Sequence, residues 1–498
     1  MIQRILLIDV DVMESRNTSH SVFYSHHPVG LLYLVSAVKK SFPEIDFKVL
    51  HTSVCHDPLE KAETIITSFK PDLIGLRALS LARESFEIMA RMIRKLRPDV
   101  PLVAGGPYPS SSYAEIIKAG WADIVVIGEG EDTFVDLVGR LMKSSGIPQD
   151  IQGTVVIENG MVKVNDPRPL IPVVDVLPFP DYNYIDLQDY CGIQNHALQD
   201  ASKSAFIFSS RGCPYACFYC HQMFGKKIRR RSAENVVAEM REHLEKRDIR
   251  DFVFLDDVFN VPMTDAKKLL SVIIKELPGI RINFPNGLRA DMIDDELIEL
   301  FEHAGTVEMA LAVETVTPRL QKLTGKNLDI DKARHAIEAL SKRFITRVFF
   351  ITGFPSETYD EALETIDFAA SLEYAAQPML SVLRIYNNTR LYHLLDPNPA
   401  QALELAVQEQ KELHLKMFDD IEFYGDLFPA EKVPLKSNDL KELLVCWMRN
   451  VLINPKRIQK SHTVLKKHLD HERILAFYGN VFNKTVFKDS DLKKLLEL

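Results

Sequence analysis

Three cysteines crowd into one short run, Arg211-Gly-Cys-Pro-Tyr-Ala-Cys-Phe-Tyr-Cys220, directly after the apolar stretch Ala205–Phe208. Thiolates are the usual protein ligands of iron–sulfur clusters, and close spacing in one loop is the usual way to present them. Cys213, Cys217 and Cys220 can hold three irons of a [4Fe–4S] cube and leave the fourth iron without a protein ligand. An iron left open in this way can bind a small molecule and pass it one electron. The other cysteines, Cys55, Cys191 and Cys446, form no second group, so a fourth ligand would have to be one of them or His221. The competing reading is a structural zinc site of the three cysteines and a histidine. Zinc sites usually draw their ligands as two separated pairs, a pattern this run does not follow.

The elements around this loop must hold it at a common edge with other polar groups. Residues 1–145 alternate strand-like segments (Ile5–Val10, Phe47–Leu50, Leu73–Leu76, Leu102–Ala104, Ile124–Ile127) with helical patterns, which predicts a doubly wound, Rossmann-like parallel sheet covered on both faces. Ligands of such sheets lie beyond the carboxyl ends of the strands. The loop after Val10, Gly105-Gly106 and Gly128-Glu129-Gly130-Glu131 all fall there. Residues 146–200 carry helix-breaking Asp166-Pro-Arg-Pro, Ile171-Pro and Leu177-Pro-Phe-Pro180 and read as a linker with one hairpin near Asn159-Gly160. Residues 201–395 alternate again, with strands expected at Ala205–Ser209, Phe252–Leu255, Ile282–Phe284, Met309–Val313, Val348–Ile351 and Met379–Leu383, a partial (β/α)6 TIM-like barrel. Active groups of parallel barrels sit at the C-terminal strand ends. Cys213, Asp256 and Asp257, Arg289, Glu314 and Gly353 follow five successive strands, so all would meet at that edge. Residues 396–498 read as a mostly helical C-terminal region with charged runs such as Glu409–Lys416 and no motif.

Composition narrows the class. A chain of 498 residues with 46% hydrophobic residues supports two or three domains with sizeable cores. A net charge of −9 argues against an extended nucleic-acid surface. Six cysteines in so long a chain are not a disulfide framework and point to a reducing compartment. The N-terminal run Met1-Ile-Gln-Arg-Ile-Leu-Leu-Ile lacks a signal-peptide layout, and no apolar run reaches a membrane span. A cytoplasmic protein is expected.

The cysteine run, with Tyr219 before its third cysteine, resembles the cluster loop of radical S-adenosylmethionine enzymes. Phe254-Leu-Asp-Asp257, Asn286-Gly-Leu-Arg289, Val313-Glu-Thr315 and Gly353-Phe-Pro-Ser-Glu-Thr358 continue the resemblance downstream. Upstream, His27-Pro-Val-Gly-Leu-Leu-Tyr33, Ala104-Gly-Gly-Pro107 and Gly128-Glu-Gly-Glu131 resemble the cobalamin-binding domain that precedes the radical domain in one large subfamily. The resemblance spans residues 1–395. It implies three cofactors: a [4Fe–4S] cluster, S-adenosylmethionine and cobalamin. It places Tyr219 near the adenine, Asp256 or Asp257 at the ammonium of the methionine part, Glu314 on the ribose hydroxyls, Gly353 and Ile351 against the adenine, and Arg289 in the same site. It places Gly30, Gly105, Gly106, Gly128, Glu129 and Gly130 around the nucleotide tail of cobalamin. Against these stand plainer readings: an aspartate capping the next loop, a salt bridge from Glu314 to Arg289, a sheet that binds nothing. His27-Pro-Val-Gly30 matches the His-x-x-Gly of domains whose histidine ligates cobalt, but Ser25 replaces the aspartate that would orient the ring. A loop histidine is the expected reading. Arg229-Arg-Arg231 reads as a solvated surface run rather than an anion-steering one.

The activity implied by the resemblance is methyl transfer from methylcobalamin to an unactivated carbon of a small-molecule substrate, after hydrogen abstraction by a 5′-deoxyadenosyl radical, with a flavodoxin- or ferredoxin-type electron donor as partner. A non-methylating rearrangement, cyclisation or oxidation, and a radical enzyme with an empty cobalamin domain, are the alternatives. A zinc-stapled binding protein is the reading from another class.

Overall fold

Apolar strand segments separated by amphipathic helical ones build two parallel sheets in the computed structural model, which describes residues 2–13, 26–143, 146–191, 203–221, 223–386, 389–395 and 423–486. The described residues form two compact units: one holds residues up to Cys191 together with 223–225, the other holds the rest.

In the first unit the sheet runs in the order β2 (Asp46–His51), β1 (Arg4–Val10), β3 (Leu73–Ala78), β4 (Leu102–Gly105), β5 (Ile124–Val126), β6 (Thr154–Glu158), β7 (Met161–Val164). The first five are parallel, and β1 is buried along nearly its whole length, as a strand covered on both faces should be. Helices Val29–Ser41 and Glu131–Lys143 cover one face, through Leu31, Val35, Phe134 and Leu137. Helices Pro58–Phe69, Arg83–Leu96 and Pro107–Lys118 cover the other, through Ile66, Phe86, Met89 and Ile116. Residues 154–164, expected to belong to a linker, instead extend this sheet as an antiparallel hairpin. The hairpin itself falls where Asn159-Gly160 predicts it: both residues have positive φ, 53° and 77°, as a tight two-residue turn requires.

In the second unit six parallel strands run in the order β15 (Gln377–Val382), β14 (Ile345–Thr352), β13 (Thr306–Glu314), β12 (Arg281–Leu288), β11 (Asp251–Phe254), β8 (Ser204–Ile207). A two-residue ladder of β9 (Ser210–Arg211) and β10 (Arg229–Arg230) closes off the segment that contains the cysteine loop. Helices enter on side-chain caps: Ser232 accepts from the Asn235 N–H, Asp294 from the Leu297 N–H, and Thr358 forms a capping box with Glu361. The C-terminal region is helical over Ser437–Trp447, Pro455–His468 and His471–Val486, while the charged run Glu409–Lys416 lies outside the described residues. Buried Arg457 ties these helices to the sheet, donating to the carbonyls of Val451, Leu452, Ala375 and Ala376 at 2.7–3.0 Å. No helix among the described residues is long and apolar enough to cross a membrane.

Candidate active site

The cysteine loop leaves the C-terminal end of β8 through β9 and Gly212, whose φ is 98°. Burial and mutual repulsion dominate its chemistry. All three thiols are pushed up, Cys220 to about 12, chiefly by desolvation; Asp257 and then Cys217 add to it at Cys213, Glu314 at Cys217, and the two other thiols and then Asp257 at Cys220. A set of crowded acids of this kind is stabilised by a positively charged metal group, which turns the thiols into ligating thiolates. Among the described residues no three His, Cys, Asp or Glu side chains converge closely enough to share one metal ion. Three thiols in one loop match a cube in which each thiolate takes its own iron. His221 stands beside Tyr386, ring centroids 5.4 Å apart, with its Nε2 buried and unbonded among the described residues.

The two aspartates after β11 divide the work that residue type alone assigns to either. Asp256 is buried and spends both oxygens on the strand beside it: Oδ2 accepts from the Ser209 N–H at 3.1 Å, and Oδ1 from the Ser209 hydroxyl at 2.7 Å and the Ser210 hydroxyl. Asp257 is exposed and accepts from the Gly212 N–H at 3.0 Å, next to Cys213.

Arg289 and Glu314 are not paired with each other. Arg289 is committed to the protein: it donates to both oxygens of Asp291 at 2.8 and 3.1 Å and to the carbonyls of Lys326 and Asn327 at 2.7 and 2.9 Å. Its guanidinium also stacks 3.9 Å from the Tyr215 ring centroid, which braces the cysteine loop from below. The expected role of Arg289 as a ligand contact therefore gives way to that of a strut. Glu314 ends β13 with φ 69°, a left-handed conformation that costs a residue with a side chain about 1–2 kcal/mol. Its Oε1 accepts from Lys326 Nζ at 2.8 Å. Sequence reasoning missed Lys326, which lies twelve residues from Glu314 and belongs to no motif.

Tyr219 is half-buried, near Phe354 and within hydrogen-bonding reach of Cys217, and its hydroxyl is pushed well up by burial and by Glu314. Ile351, also half-buried, lies on β14 two residues before Gly353. Gly353 has an explanation within the protein: a Cβ there would stand 2.9 Å from the Phe423 ring, and its carbonyl accepts from the Tyr424 hydroxyl at 2.6 Å. The buried Glu357 carboxylate accepts from the N–H groups of Gly353 and Phe354 and from the Thr352 hydroxyl, and burial raises it to about 7. Glu357 belongs to the run Gly353–Thr358 read in the sequence, but its bonds back to that run, and the part of Tyr424, were not legible. Arg229, Arg230 and Arg231 are not a solvated run either: Arg231 pairs with buried Glu239, and Arg230 donates to the carbonyls of Phe259 and Val261.

At the C-terminal edge of the first sheet the signal lies in backbone. Gly128 has φ 79° and nothing within 4 Å of where a Cβ would stand, so a ligand could approach its main chain there. Gly30 has the same open space. Gly106 and Gly130 instead sit close to Arg77 and Leu34, and Glu129 accepts from the Ile171 N–H at 2.8 Å. Gly105 has only Val126 at 3.9 Å. This edge fits a bulky organic ligand along Gly30, Gly105 and Gly128. His27 does not fit as a ligand: it is 3% exposed, packed edge-on against Tyr190 and Tyr182 at 4.4 and 5.5 Å. A cavity of about 590 Å³ opens at the end of β2 beside His51 and Tyr190, separated from β4 and β5 by β1 and β3.

Comparison with known proteins agrees with both halves. The family model for the radical SAM superfamily matches residues 207–369, and that for the B12 binding domain matches residues 18–138. An uncharacterised methyltransferase of Pyrococcus horikoshii is 29% identical over 73% of this chain and 77% of that protein. The anaerobic magnesium-protoporphyrin IX monomethyl ester cyclase of Rubrivivax gelatinosus is 26% identical over 61% of this chain and 55% of that protein. Among solved structures, the radical S-adenosylmethionine methyltransferase TsrM of Kitasatospora setae with cobalamin and a [4Fe–4S] cluster bound shares the fold at a TM-score of 0.63, with 20% identity, over 78% of this chain and 77% of that one.

Proposed function

We propose that this chain, which belongs to the cobalamin-dependent radical S-adenosylmethionine family, transfers a methyl group to an unactivated carbon of a small-molecule substrate. Its cofactors are a [4Fe–4S] cluster, S-adenosylmethionine and cobalamin. The observation that carries the reading is the presence of both family models on one chain whose relatives include a methyltransferase matched over most of its length.

When bound, the cluster supplies the electron that cleaves S-adenosylmethionine and the cobalamin carries the methyl group. The chain's own residues bind, orient and shield. Cys213, Cys217 and Cys220 would each hold one iron. Asp257, kept in place by the Gly212 N–H, would take the ammonium of the methionine part, while Asp256 holds Ser209 and Ser210 and so fixes the strand that leads into the loop. Glu314 would accept from the ribose hydroxyls with its second oxygen, and Tyr219 would border the adenine. Gly30, Gly105 and Gly128 would line the cobalamin edge. A small flavodoxin- or ferredoxin-type protein would deliver the electron.

The second reading, a radical cyclisation without methyl transfer, is favoured by the cyclase relative. The products separate the two. Reduced, cobalamin-loaded protein given S-adenosylmethionine should release both 5′-deoxyadenosine and S-adenosylhomocysteine. Release of 5′-deoxyadenosine alone would favour the cyclase-like chemistry.

A further inference from the structure

The Lys326 ammonium is buried, 8% exposed, in a short loop bonded to the cysteine loop along its length. The Thr324 carbonyl accepts from the Phe218 N–H at 2.9 Å. Gly325, at φ 75°, lies so close to the Ala216 carbonyl that a Cβ would stand 2.9 Å from it. The carbonyls of Lys326 and Asn327 are held by Arg289, which stacks on Tyr215 of the cysteine loop. The loop that carries the charge is therefore fixed against the cysteine loop, on both sides of Cys217. The partner of that charge is Glu314, at 2.8 Å. Burying such a pair is weak as a source of stability, because desolvation offsets most of the attraction. A role in the site accounts for it better.

We propose that Lys326 is a positioning residue that acts in two directions: its ammonium balances the negative charge gathered at the cysteine loop, and its bond to Glu314 aims that carboxylate's free oxygen at the nucleoside of the bound cosubstrate. This rests on the reading that Cys213, Cys217 and Cys220 hold the cluster. Added positive charge beside a cluster favours its reduced, more negative state, so removal of the charge lowers the reduction potential. Loss of the Glu314 partner leaves the ammonium uncompensated and raises it.

The test uses the full chain, reconstituted anaerobically, as wild type, Lys326→Met, Lys326→Arg and Glu314→Gln. Iron and sulfide are counted first. The midpoint potential is then followed by electron paramagnetic resonance without S-adenosylmethionine, and the dissociation constant of S-adenosylmethionine is measured on the oxidised protein. Lys326→Met is expected to keep its iron, shift to a lower potential and bind S-adenosylmethionine about tenfold more weakly. Lys326→Arg is expected to recover both, and Glu314→Gln to shift to a higher potential. A Lys326→Met cluster with the wild-type potential and affinity overturns the proposal and leaves the cysteine assignment standing. Wild-type protein that assembles no iron–sulfur cluster overturns the cysteine assignment itself. If Lys326→Met loses its iron by misfolding, the sign of the Glu314→Gln shift decides: upward supports the proposal, and no shift or a downward one overturns it.

Discussion

The C-terminal edges of the two sheets present ligands with different chemistry. At the second sheet the candidates are side chains, and each is held by another group of the protein: Asp257 by the Gly212 N–H, Glu314 by Lys326, Arg289 by Asp291 and by the loop beyond it. At the first sheet the candidates are glycines whose open side faces empty space, Gly128 and Gly30, while the side chains singled out there are engaged within the protein, His27 against two tyrosines and Glu129 with the Ile171 N–H. A site that moves an electron and fixes a charged cosubstrate needs donors, acids and a counter-charge in set positions. A site that cradles a large, self-contained cofactor needs room and main chain. The first kind announces itself by residue type and the second by absence of side chains.

The comparison can be broken most severely at Cys213. Cys213→Ala is expected to abolish iron binding and radical cleavage entirely while leaving cobalt retention unchanged, read by metal analysis. A cobalt loss of equal size would mean that the two edges are not chemically independent.

Next in size is Glu357. Its folded value of about 7 stands above the ordinary 4.5 because of burial, so the folded state holds the proton more tightly. The stability this contributes is fully present below pH 4.5 and is lost as pH rises through 7, about 3 kcal/mol across the window. Glu357→Gln should flatten that dependence in denaturant titrations at pH 5 and pH 8. An unchanged slope would show that the Gly353 loop is not held by a protonated acid.

Asp257→Asn removes one charge-assisted contact, worth about 1.5–3 kcal/mol, and should weaken S-adenosylmethionine binding roughly tenfold to hundredfold without loss of iron. Asp256→Asn should instead lower stability, because its partners are within the protein. If the two exchanged phenotypes, the assignment would reverse.

Gly128→Val places a β-branched residue at φ 79° and fills the open side, with a backbone cost of about 1–2 kcal/mol. Cobalamin should be held about tenfold more weakly, read by gel filtration of the reconstituted protein, with iron unaffected. His27→Gln is the smallest: the absorption and paramagnetic spectra of bound cobalamin should not change. A changed axial-ligand signature would return His27 to the cofactor.

Much of this was legible in the sequence because both sheets obey the same rule, that polar residues just past an apolar strand gather at one edge. Cys213, Asp257 and Glu314 all obey it. The misread parts fail for physical reasons. The hairpin of β6 and β7 is short and flanked by prolines, so its turn was visible but its pairing with β5 was not. The choice between Asp256 and Asp257 depends on which one the serines of the neighbouring strand capture, a tertiary fact. Lys326 reaches Glu314 across a helix and a turn, Pro318–Thr324 and Gly325, and no local pattern encodes that reach. Arg289 was assigned to the ligand because an arginine at a strand end has two possible employers, and only the Lys326 and Asn327 carbonyls identify which one holds it.

The most direct measurement is a metal count on anaerobically purified protein reconstituted with iron, sulfide and hydroxocobalamin, for wild type and Cys213→Ala. The account predicts about four irons and one cobalt per chain in the wild type, and cobalt alone in the variant. Zinc in place of iron, or iron with no retained cobalt, would contradict it.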